Sequence, residues 1–309
     1  MEVLAIPFLL VVGGLLAVQA AATIQLAASV GSPLGGAALQ LGIGAALLVA
    51  LAAVVGTLGA LDSLDSARFW HLVGGIGSAV YITAGILLFP RLGAIVAVGL
   101  FVAGQMLASL LLDGFGWLGV DRDPLDAAAI AGAAGVVAGT LLIVRAQAAR
   151  SLDPAVAGRT GWIALGLAAG AVLPVQGAIN AQLRLDLDAP VTAGAWSFIV
   201  AAMSMLAVVV AVLALSPAAP RPRRPDMSRL PWWGWLGGLC GATYVTSVFL
   251  LIPEIGVAAT VALTIAGQQV ASVLVDRYGL LRLPKRPIPR LRMSGVALLL
   301  TGVALIQLG

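Results

Sequence analysis

Ten apolar runs follow one another along almost the whole chain, and each is about long enough to cross a membrane. A bilayer core roughly 30 Å thick requires about 20 mainly apolar residues in a helix, which satisfies its own backbone hydrogen bonds. The runs are 3–28, 33–58, 68–89, 92–113, 125–147, 160–183, 190–215, 231–252, 255–276 and 290–308. Of the 309 residues, 61% are hydrophobic and only 10% are charged. We therefore predict an all-α integral membrane protein with ten transmembrane helices, the first of them retained rather than cleaved as a signal, and with no soluble domain.

The 17 basic residues divide unevenly when alternate loops are assigned to opposite sides of the membrane. Arg68, Arg122 and Arg184 fall on the side that carries both termini. The other 14 fall on the opposite side: Arg91, Arg145, Arg150, Arg159, Arg221, Arg223, Arg224, Arg229, Arg277, Arg282, Lys285, Arg286, Arg290 and Arg292. Because basic loops are retained in the cytoplasm, both termini are predicted to face outward. The basic segment 282–292 is also a candidate for binding anionic lipid head groups.

One helical segment occurs twice in the sequence. GQMLASLLLDGFG at 104–116 returns as GQQVASVLVDRYG at 267–279, with seven of thirteen positions identical and an offset of 163. The same offset relates other marks, among them the glycine pairs at 74–75 and 237–238 and the tyrosines Tyr81 and Tyr244. Upstream the offset is 157, which relates Gln19 to Gln176. The chain is thus predicted to contain two repeats, 1–150 and 151–309.

Each repeat contains five predicted helices, and this odd number determines their relative orientation. The second repeat enters the membrane from the side opposite to the first, so the two are inverted in topology. Transporters with this architecture place a substrate site near the midplane between the repeats and expose it to each side in turn.

Several segments resemble the YdcZ-like family of the drug/metabolite transporter superfamily. They are LPVQGAINAQL (173–183), WWGWLGGLCGATYV (232–245), the following P-x-x-G turn and the GQxxxSxxxD pattern. The resemblance covers nearly the whole chain and is similar to the fused ten-helix form of the family. The first half is a looser match, since Ala17 and Thr23 replace the proline and asparagine of the second half. The resemblance implies a transporter of small metabolites in the bacterial inner membrane, and an exporter is the expected type.

Polar side chains inside the apolar helices must contact protein or water, because an unpartnered amide in hydrocarbon costs about 4–8 kcal/mol. Spacings of four place Gln19 with Thr23, and Gln176 with Asn180, on common helix faces. The central glutamines of the repeated helix are Gln105 and Gln268. The predicted substrate-binding residues are Gln19, Thr23, Gln105, Gln176, Asn180, Gln268, Gln269, Tyr81, Tyr244 and Trp196. The alternative is that the amides only bond neighbouring helices together and that the aromatic rings only pack.

Other polar residues favour simpler roles. Asp113 and Asp276 end their helices beside glycine or arginine and are predicted to be interfacial anchors. Trp70 and His71, at the start of a predicted helix, are assigned to the membrane interface. No acidic residue lies at mid-helix, so coupling through a buried glutamate, which the small multidrug resistance branch resembling this fold uses, is not supported.

The absence of several sequence motifs argues against several classes of enzyme and pump. There is no P-loop, H-E-x-x-H, C-x-x-C or G-x-S-x-G, and Cys240 is the single cysteine. We predict no enzymatic activity, no cofactor and no metal site. The expected partners are a small-molecule substrate and membrane lipids, anionic ones at the cytoplasmic face, with no nucleic acid; a monomer or homodimer is expected. A non-transporting membrane scaffold is the alternative function, and a channel is disfavoured because no repeated ring of like charge occurs.

Overall fold

The computed structural model describes residues 2–148, 160–281, 285 and 289–308. Within these residues the chain is helical and contains no strand. The helices are α1 (Glu2–Val30), α2 (Pro33–Val54), α3 (Phe69–Leu72), α4 (Ile76–Phe115), α5 (Ala127–Ala148), α6 (Thr160–Leu187), α7 (Pro190–Leu215), α8 (Leu236–Ile255), α9 (Val257–Tyr278) and α10 (Arg290–Leu308). Three 3-10 turns connect them at Leu58–Asp65, Trp117–Gly119 and Trp232–Trp235. The predicted repeat boundary at residue 150 lies outside the described residues, as do Arg150, Arg159, Arg282 and Arg286.

Eight of the helices in the described part of the chain are long and apolar enough to cross a membrane. Two shorter apolar helical stretches, Ile76–Leu92 and Ala127–Ile143, accompany them. The chain is therefore an α-helical membrane protein with multiple spans.

Helix α4 turns back on itself. A straight helix of 40 residues would be about 60 Å long, twice the thickness of a bilayer core. Yet the rings of Tyr81 and Phe101, about 30 Å apart in such a helix, have centroids 4.9 Å apart. The chain thus reverses direction between these residues, and Pro90 lies in this interval. The sequence predicts two separate helices here, 68–89 and 92–113. The structure has one helix with two arms instead, and the first arm begins at Ile76 rather than at residue 68.

The two arms of α4 run along α6 in opposite directions. Gly74, just before the first arm, approaches Asn180 of α6, and Gly77 within the arm approaches Gln176. Residue numbers therefore decrease along α6 as they increase along the first arm. In the second arm the order is the same on both helices, from Arg91, whose guanidinium lies 4.5 Å from the centre of the Trp162 ring, to the turn after the arm, where Gln182 bonds the Gly119 carbonyl. The first arm is antiparallel to α6 and the second is parallel to it.

The most extensive helix pairs join residues before 150 to residues after 160: α5 with α10, α4 with α6, α2 with α7, and α1 with α9. Glycine permits close approach of the backbones at these crossings. A Cβ atom at Gly13 would clash with the Thr264 carbonyl on α9, and one at Gly170 would clash with the Phe101 carbonyl on α4. The repeat offsets carry Gly13 onto Gly170 and Thr264 onto Phe101. The same contact therefore occurs twice, with the two halves of the chain exchanged.

Loops gather at two ends of the bundle. At one end, Thr192 at the start of α7 donates to the Thr57 carbonyl at 2.9 Å, and Gln182 donates to the Gly119 carbonyl at 2.9 Å. At the other end, the loop after α7 covers the turn between α1 and α2, where the Arg223 amide donates to the Val30 carbonyl at 3.0 Å. Alternate loops thus lie at the same end, as expected for helices that cross a membrane in succession.

Candidate functional site

A buried polar stripe follows one face of α6. Gln176 and Asn180 are four residues apart and are 3% and 0% exposed. The Gln176 Nε2 donates to Ser78 Oγ of α4 at 2.9 Å, so this pair joins the two halves of the chain. The Asn180 Nδ2 donates to Ser197 Oγ of α7 at 3.0 Å. The Asn180 Oδ1 is buried and accepts no hydrogen bond from the described residues; it faces Gly74, where a Cβ would clash with it.

Helix α1 carries the counterpart of this stripe. Thr23 donates to the Gln40 Oε1 of α2, and the repeat offset carries Thr23 and Gln40 onto Asn180 and Ser197. Gln19, the counterpart of Gln176, faces Gly241, where a Cβ would lie 3.0 Å from its Nε2. The repeat aligns Gly241 with Ser78, and glycine has no hydroxyl to offer. The Gln19 Oε1 is therefore buried without a hydrogen bond from the described residues. The two stripes are therefore equivalent in position and different in hydrogen bonding.

The repeated tyrosines lie on α4 and α8. Tyr244 is 8% exposed, and a small cavity of about 10 Å³, room for about one water molecule, separates its helix from Gln176. The cavity is lined by Leu173, Gln176, Gly177, Tyr244, Val245 and Val248. Tyr81 packs against Phe101 of the second arm of α4, with ring centroids 4.9 Å apart. Two of the predicted binding residues, Gln176 and Tyr244, thus line one cavity.

The other predicted residues lie at neighbouring positions. Gln105 and Gln269 are each 6% exposed, and Gln268 is half-buried. No hydrogen bond to their side-chain amides is formed by the described residues, so no direct bond joins the two central glutamines. The half-buried Trp196 donates from Nε1 to the Leu72 carbonyl at 3.0 Å and thereby ties α7 to α3.

Comparison with known proteins places this helical arrangement in a family. The family model DMT_YdcZ, described as "Putative inner membrane exporter, YdcZ", matches residues 4–142 and 161–305. The chain belongs to the DMT_YdcZ family. A solved crystal structure of another protein is similar over 97% of this chain and 96% of that one, with 20% sequence identity and a TM-score of 0.66, which shows a shared fold. No curated protein matches the chain by sequence.

Membership in the DMT_YdcZ family gives the chain a transporter role in the inner membrane. The arrangement of its polar groups is suited to that role, because the buried stripes contain amides and hydroxyls and Tyr244 adds a phenol beside Gln176. Such groups donate and accept hydrogen bonds without fixed charge. Among the described residues, no group of three or more histidine, cysteine or acidic side chains could hold a metal ion.

Three residues that bond the predicted binding residues are not predicted from the sequence. Ser78, Gln40 and Ser197 supply the partners of Gln176, Thr23 and Asn180. A signal was available for two of them, since Gln40 and Ser197 are related by the offset of 157 and each follows its threonine or asparagine by 17 residues. Ser78 aligns with Gly241, so the repeat did not mark it.

Acidic side chains near the ends of the helices bond residues of other helices. The Asp113 carboxylate is 5% exposed and accepts hydrogen bonds from the Val257 and Ala258 amides at 2.9 and 2.6 Å. It caps the N-terminus of α9, a position where negative charge is stabilising. Asp276 pairs with the buried Arg292 at 2.8 Å. The interfacial assignment of Asp113 therefore misses its contact with the other half of the chain.

His71 is also more buried than its assignment to the membrane interface suggested. It is 5% exposed and its Nδ1 bonds the Asp186 carboxylate of α6. The ring of Trp70 meets it edge-on, with centroids 3.9 Å apart. This pair connects α3 with α6 just beyond the end of the polar stripe.

Proposed function

We propose that this protein is a secondary transporter that exports a small organic metabolite or drug-like solute by alternating access. In this proposal, ten transmembrane helices form two inverted five-helix repeats, 1–150 and 151–309. The substrate lies between the repeats near the midplane, in contact with the polar stripes of α1 and α6 and with the paired tyrosines. Both termini face the outside of the inner membrane.

The observation that carries the proposal is that helix crossings between the halves occur in pairs, in which the two halves exchange their roles. The crossing of Gly104 with Leu167 has its counterpart in that of Gly267 with Leu10, in addition to the pair formed by Gly13 and Gly170. In such a bundle, a movement of one half can open one end, and the equivalent movement of the other half can open the opposite end. Inverted-repeat transporters use this relation to move a solute between two sides of a membrane.

The reversal inside α4 supports the odd number of spans per repeat. Counted as two arms, α4 brings the first half to five apolar helical segments, of which Ile76–Leu92 and Ala127–Ile143 are the shorter ones, and five apolar helices follow residue 160. The second arm of α4 is parallel to α6, while the first is antiparallel to it. These directions fit helices four and six of a chain that crosses the membrane ten times.

The unpartnered acceptors support a binding site. Buried amide oxygens without hydrogen bonds are costly and rare in native proteins. Gln19 Oε1 and Asn180 Oδ1 both lack a hydrogen bond from the described residues, and they lie one helical turn apart in position along the two equivalent stripes. A solute with N–H or O–H donors would satisfy them, and tyrosine rings could stack on a planar or cationic one.

Solute binding tests the function directly. A panel of neutral, zwitterionic and cationic metabolites should contain a compound that raises the melting temperature of the purified full-length protein. At about 100 times its dissociation constant, a ligand stabilises by about 2.7 kcal/mol, which corresponds to a shift of roughly 5 °C or more. The same compound should leave proteoliposomes in a saturable manner only when the protein is present. Absence of both effects across the panel would favour the scaffold.

Cysteine labelling tests the orientation. Cys240 is buried, and its replacement by alanine gives a background without thiols. In intact cells, an impermeant thiol reagent should label a cysteine added at the C-terminus and should not label Arg224→Cys. The expectation follows from the 14 basic residues assigned to the side of Arg224. Arg224→Cys should react after the membrane is permeabilised; labelling in the reverse pattern would contradict outward-facing termini.

A further inference from the structure

An apolar crevice opens at the end of the bundle where α2 begins and α7 ends. Its volume is about 170 Å³, far more than one water molecule requires. It is lined by Ser32, Pro33, Leu34, Ile86, Val209, Val212, Leu213, Ala219 and Pro220. The hydroxyl of Ser32 already caps α2 by accepting from the Gly35 amide at 3.2 Å. The crevice therefore offers hydrocarbon walls to an occupant.

The crevice lies at the boundary between the apolar span and the adjoining loop. Pro33 is the first residue of α2, and Val212 and Leu213 belong to the last turn of α7. Next to them, Val210 and Leu215 are 59% and 84% exposed, as expected for side chains that face lipid. A hydrocarbon occupant of this site is thus most directly supplied by the bilayer, as an acyl chain.

Arginines border the crevice on its loop side. Arg221 follows Pro220, which is a lining residue, and Arg223 and Arg224 come next; all three are exposed. The position of this segment is fixed, because the Arg223 amide bonds the Val30 carbonyl at 3.0 Å and the Asp226 amide bonds the Ser29 carbonyl at 3.2 Å. The Arg223 side chain extends over Gly31, where a Cβ would lie 3.0 Å from its Nε.

The only acidic side chain of this loop, Asp226, is already engaged. Its carboxylate accepts from the Ser228 hydroxyl at 2.6 Å and pairs with Arg229 at 3.2 Å. Hydrogen bonds from Ser228, together with the positive charges of Arg229 and Arg223, hold the pKa of Asp226 below its usual range. The loop therefore presents a surplus of positive charge beside the mouth of the crevice.

We propose that this crevice is a binding site for an anionic phospholipid. One acyl chain enters between the ends of α2 and α7, and the phosphate contacts Arg221, Arg223 and Arg224. Guanidinium groups bind phosphate through paired, charge-assisted hydrogen bonds, and anionic lipids are concentrated in the cytoplasmic leaflet, to which the basic loops are assigned. The site is separate from the polar stripes and does not depend on the proposed transport cycle.

Native mass spectrometry and thermal unfolding of the full-length protein test this site. Phosphatidylglycerol should bind and stabilise the protein more than phosphatidylcholine with the same acyl chains. The double variant Arg221→Gln/Arg224→Gln should weaken phosphatidylglycerol binding roughly 10- to 30-fold, since each arginine near the membrane surface contributes about a fivefold factor. Arg68→Gln, an exposed arginine at the opposite end, is the matched control and should leave binding unchanged.

A second variant tests the acyl chain separately. Val212→Trp fills the crevice and should reduce phosphatidylglycerol binding roughly tenfold, because each excluded methylene removes part of the affinity. Glycerol phosphate, which has the headgroup chemistry without acyl chains, should not stabilise the wild-type protein. The proposal would be overturned by equal binding of the two lipids, by equal effects of Arg68→Gln and the double variant, or by full stabilisation with glycerol phosphate.

Discussion

Replacement of Gly267 by alanine is expected to remove most of the folded protein, whereas replacement of Gly42 is expected to leave it intact. A Cβ atom at Gly267 would clash with the Leu10 carbonyl oxygen and would lie 2.7 Å from its carbon. Backbone atoms cannot rotate away as side chains do, so α1 and α9 would have to separate. Overpacking costs about 1–3 kcal/mol when side chains can adjust, and more is expected here.

The loss is expected to be large because helices in a membrane associate mainly through close packing. Lipid chains are as apolar as leucine, and small residues at the crossings supply the van der Waals contact that holds helices together. The measurement is the melting temperature and the monodisperse fraction of the purified protein. Gly42 lies in the interior of α2, and a Cβ at this position would have no atom within 4 Å, so alanine there tests helix propensity alone. Equal melting temperatures for the two variants would contradict the packing at this crossing.

The exchange of contacts between the halves extends this prediction. Gly104→Ala on α4 meets the Leu167 carbonyl of α6, the counterpart of the Leu10 contact. Its effect should therefore be similar in size to that of Gly267→Ala. A large effect at one of these glycines and none at the other would contradict the equivalence of the two crossings.

These crossings also bear on why the chain repeats its GQ segment. In the sequence, the glutamines Gln105 and Gln268 are the conspicuous residues of this segment, because amides are rare in apolar helices. The structure shows that the preceding glycines, Gly104 and Gly267, are among the residues at which the helices of the two halves approach each other most closely. With 38 glycines in the chain, spacing alone could not distinguish these two from the others. Their repetition in register was the informative signal.

Helices were more predictable than side-chain partners for a physical reason. An apolar run of about 20 residues identifies a span without reference to the rest of the chain, so the family-level membrane fold follows from composition and length. A hydrogen bond depends on which helices pack together. His71 lies 115 residues from Asp186 in sequence, and Gln176 lies 98 residues from Ser78. Local patterns around His71 and Ser78 contain no trace of these partners.

Helix ends show the same limit. The third predicted span begins at residue 68, but the structure has the short helix α3 there, followed by α4 from Ile76. Gly74 and Gly75 separate them, and both glycines pack closely, on Asn180 and on the Ser197 carbonyl. Hydropathy does not detect this interruption, because glycine is compatible with an apolar run. The division of the chain into two inverted repeats stays a prediction that the exchanged contacts support.

Replacement of Gln176 by alanine is expected to abolish solute binding with little loss of stability. The side chain lines the small cavity beside Tyr244, and its amide is the predicted contact with substrate. Loss of the partner of a buried polar group costs about 1–3 kcal/mol, which corresponds to a roughly 5- to 150-fold loss of affinity. Hydrogen bonds between membrane helices contribute only about 0.6 kcal/mol each, so the melting temperature should change by a few degrees at most. The measurements are the solute-dependent thermal shift and proteoliposome efflux.

Ser78→Ala is the matched control that separates binding from helix association. It removes the same hydrogen bond between α4 and α6, at 2.9 Å, but leaves the Gln176 amide in place at the cavity. If Gln176 contacts the solute, Ser78→Ala should retain most of the binding that Gln176→Ala loses. On α6 the same comparison applies to Asn180→Ala and Ser197→Ala, because Ser197 is the partner of the Asn180 amide. If each serine variant instead lowered stability and solute binding as much as its amide partner, these residues would serve to hold the helices together, and the substrate site would have to lie elsewhere.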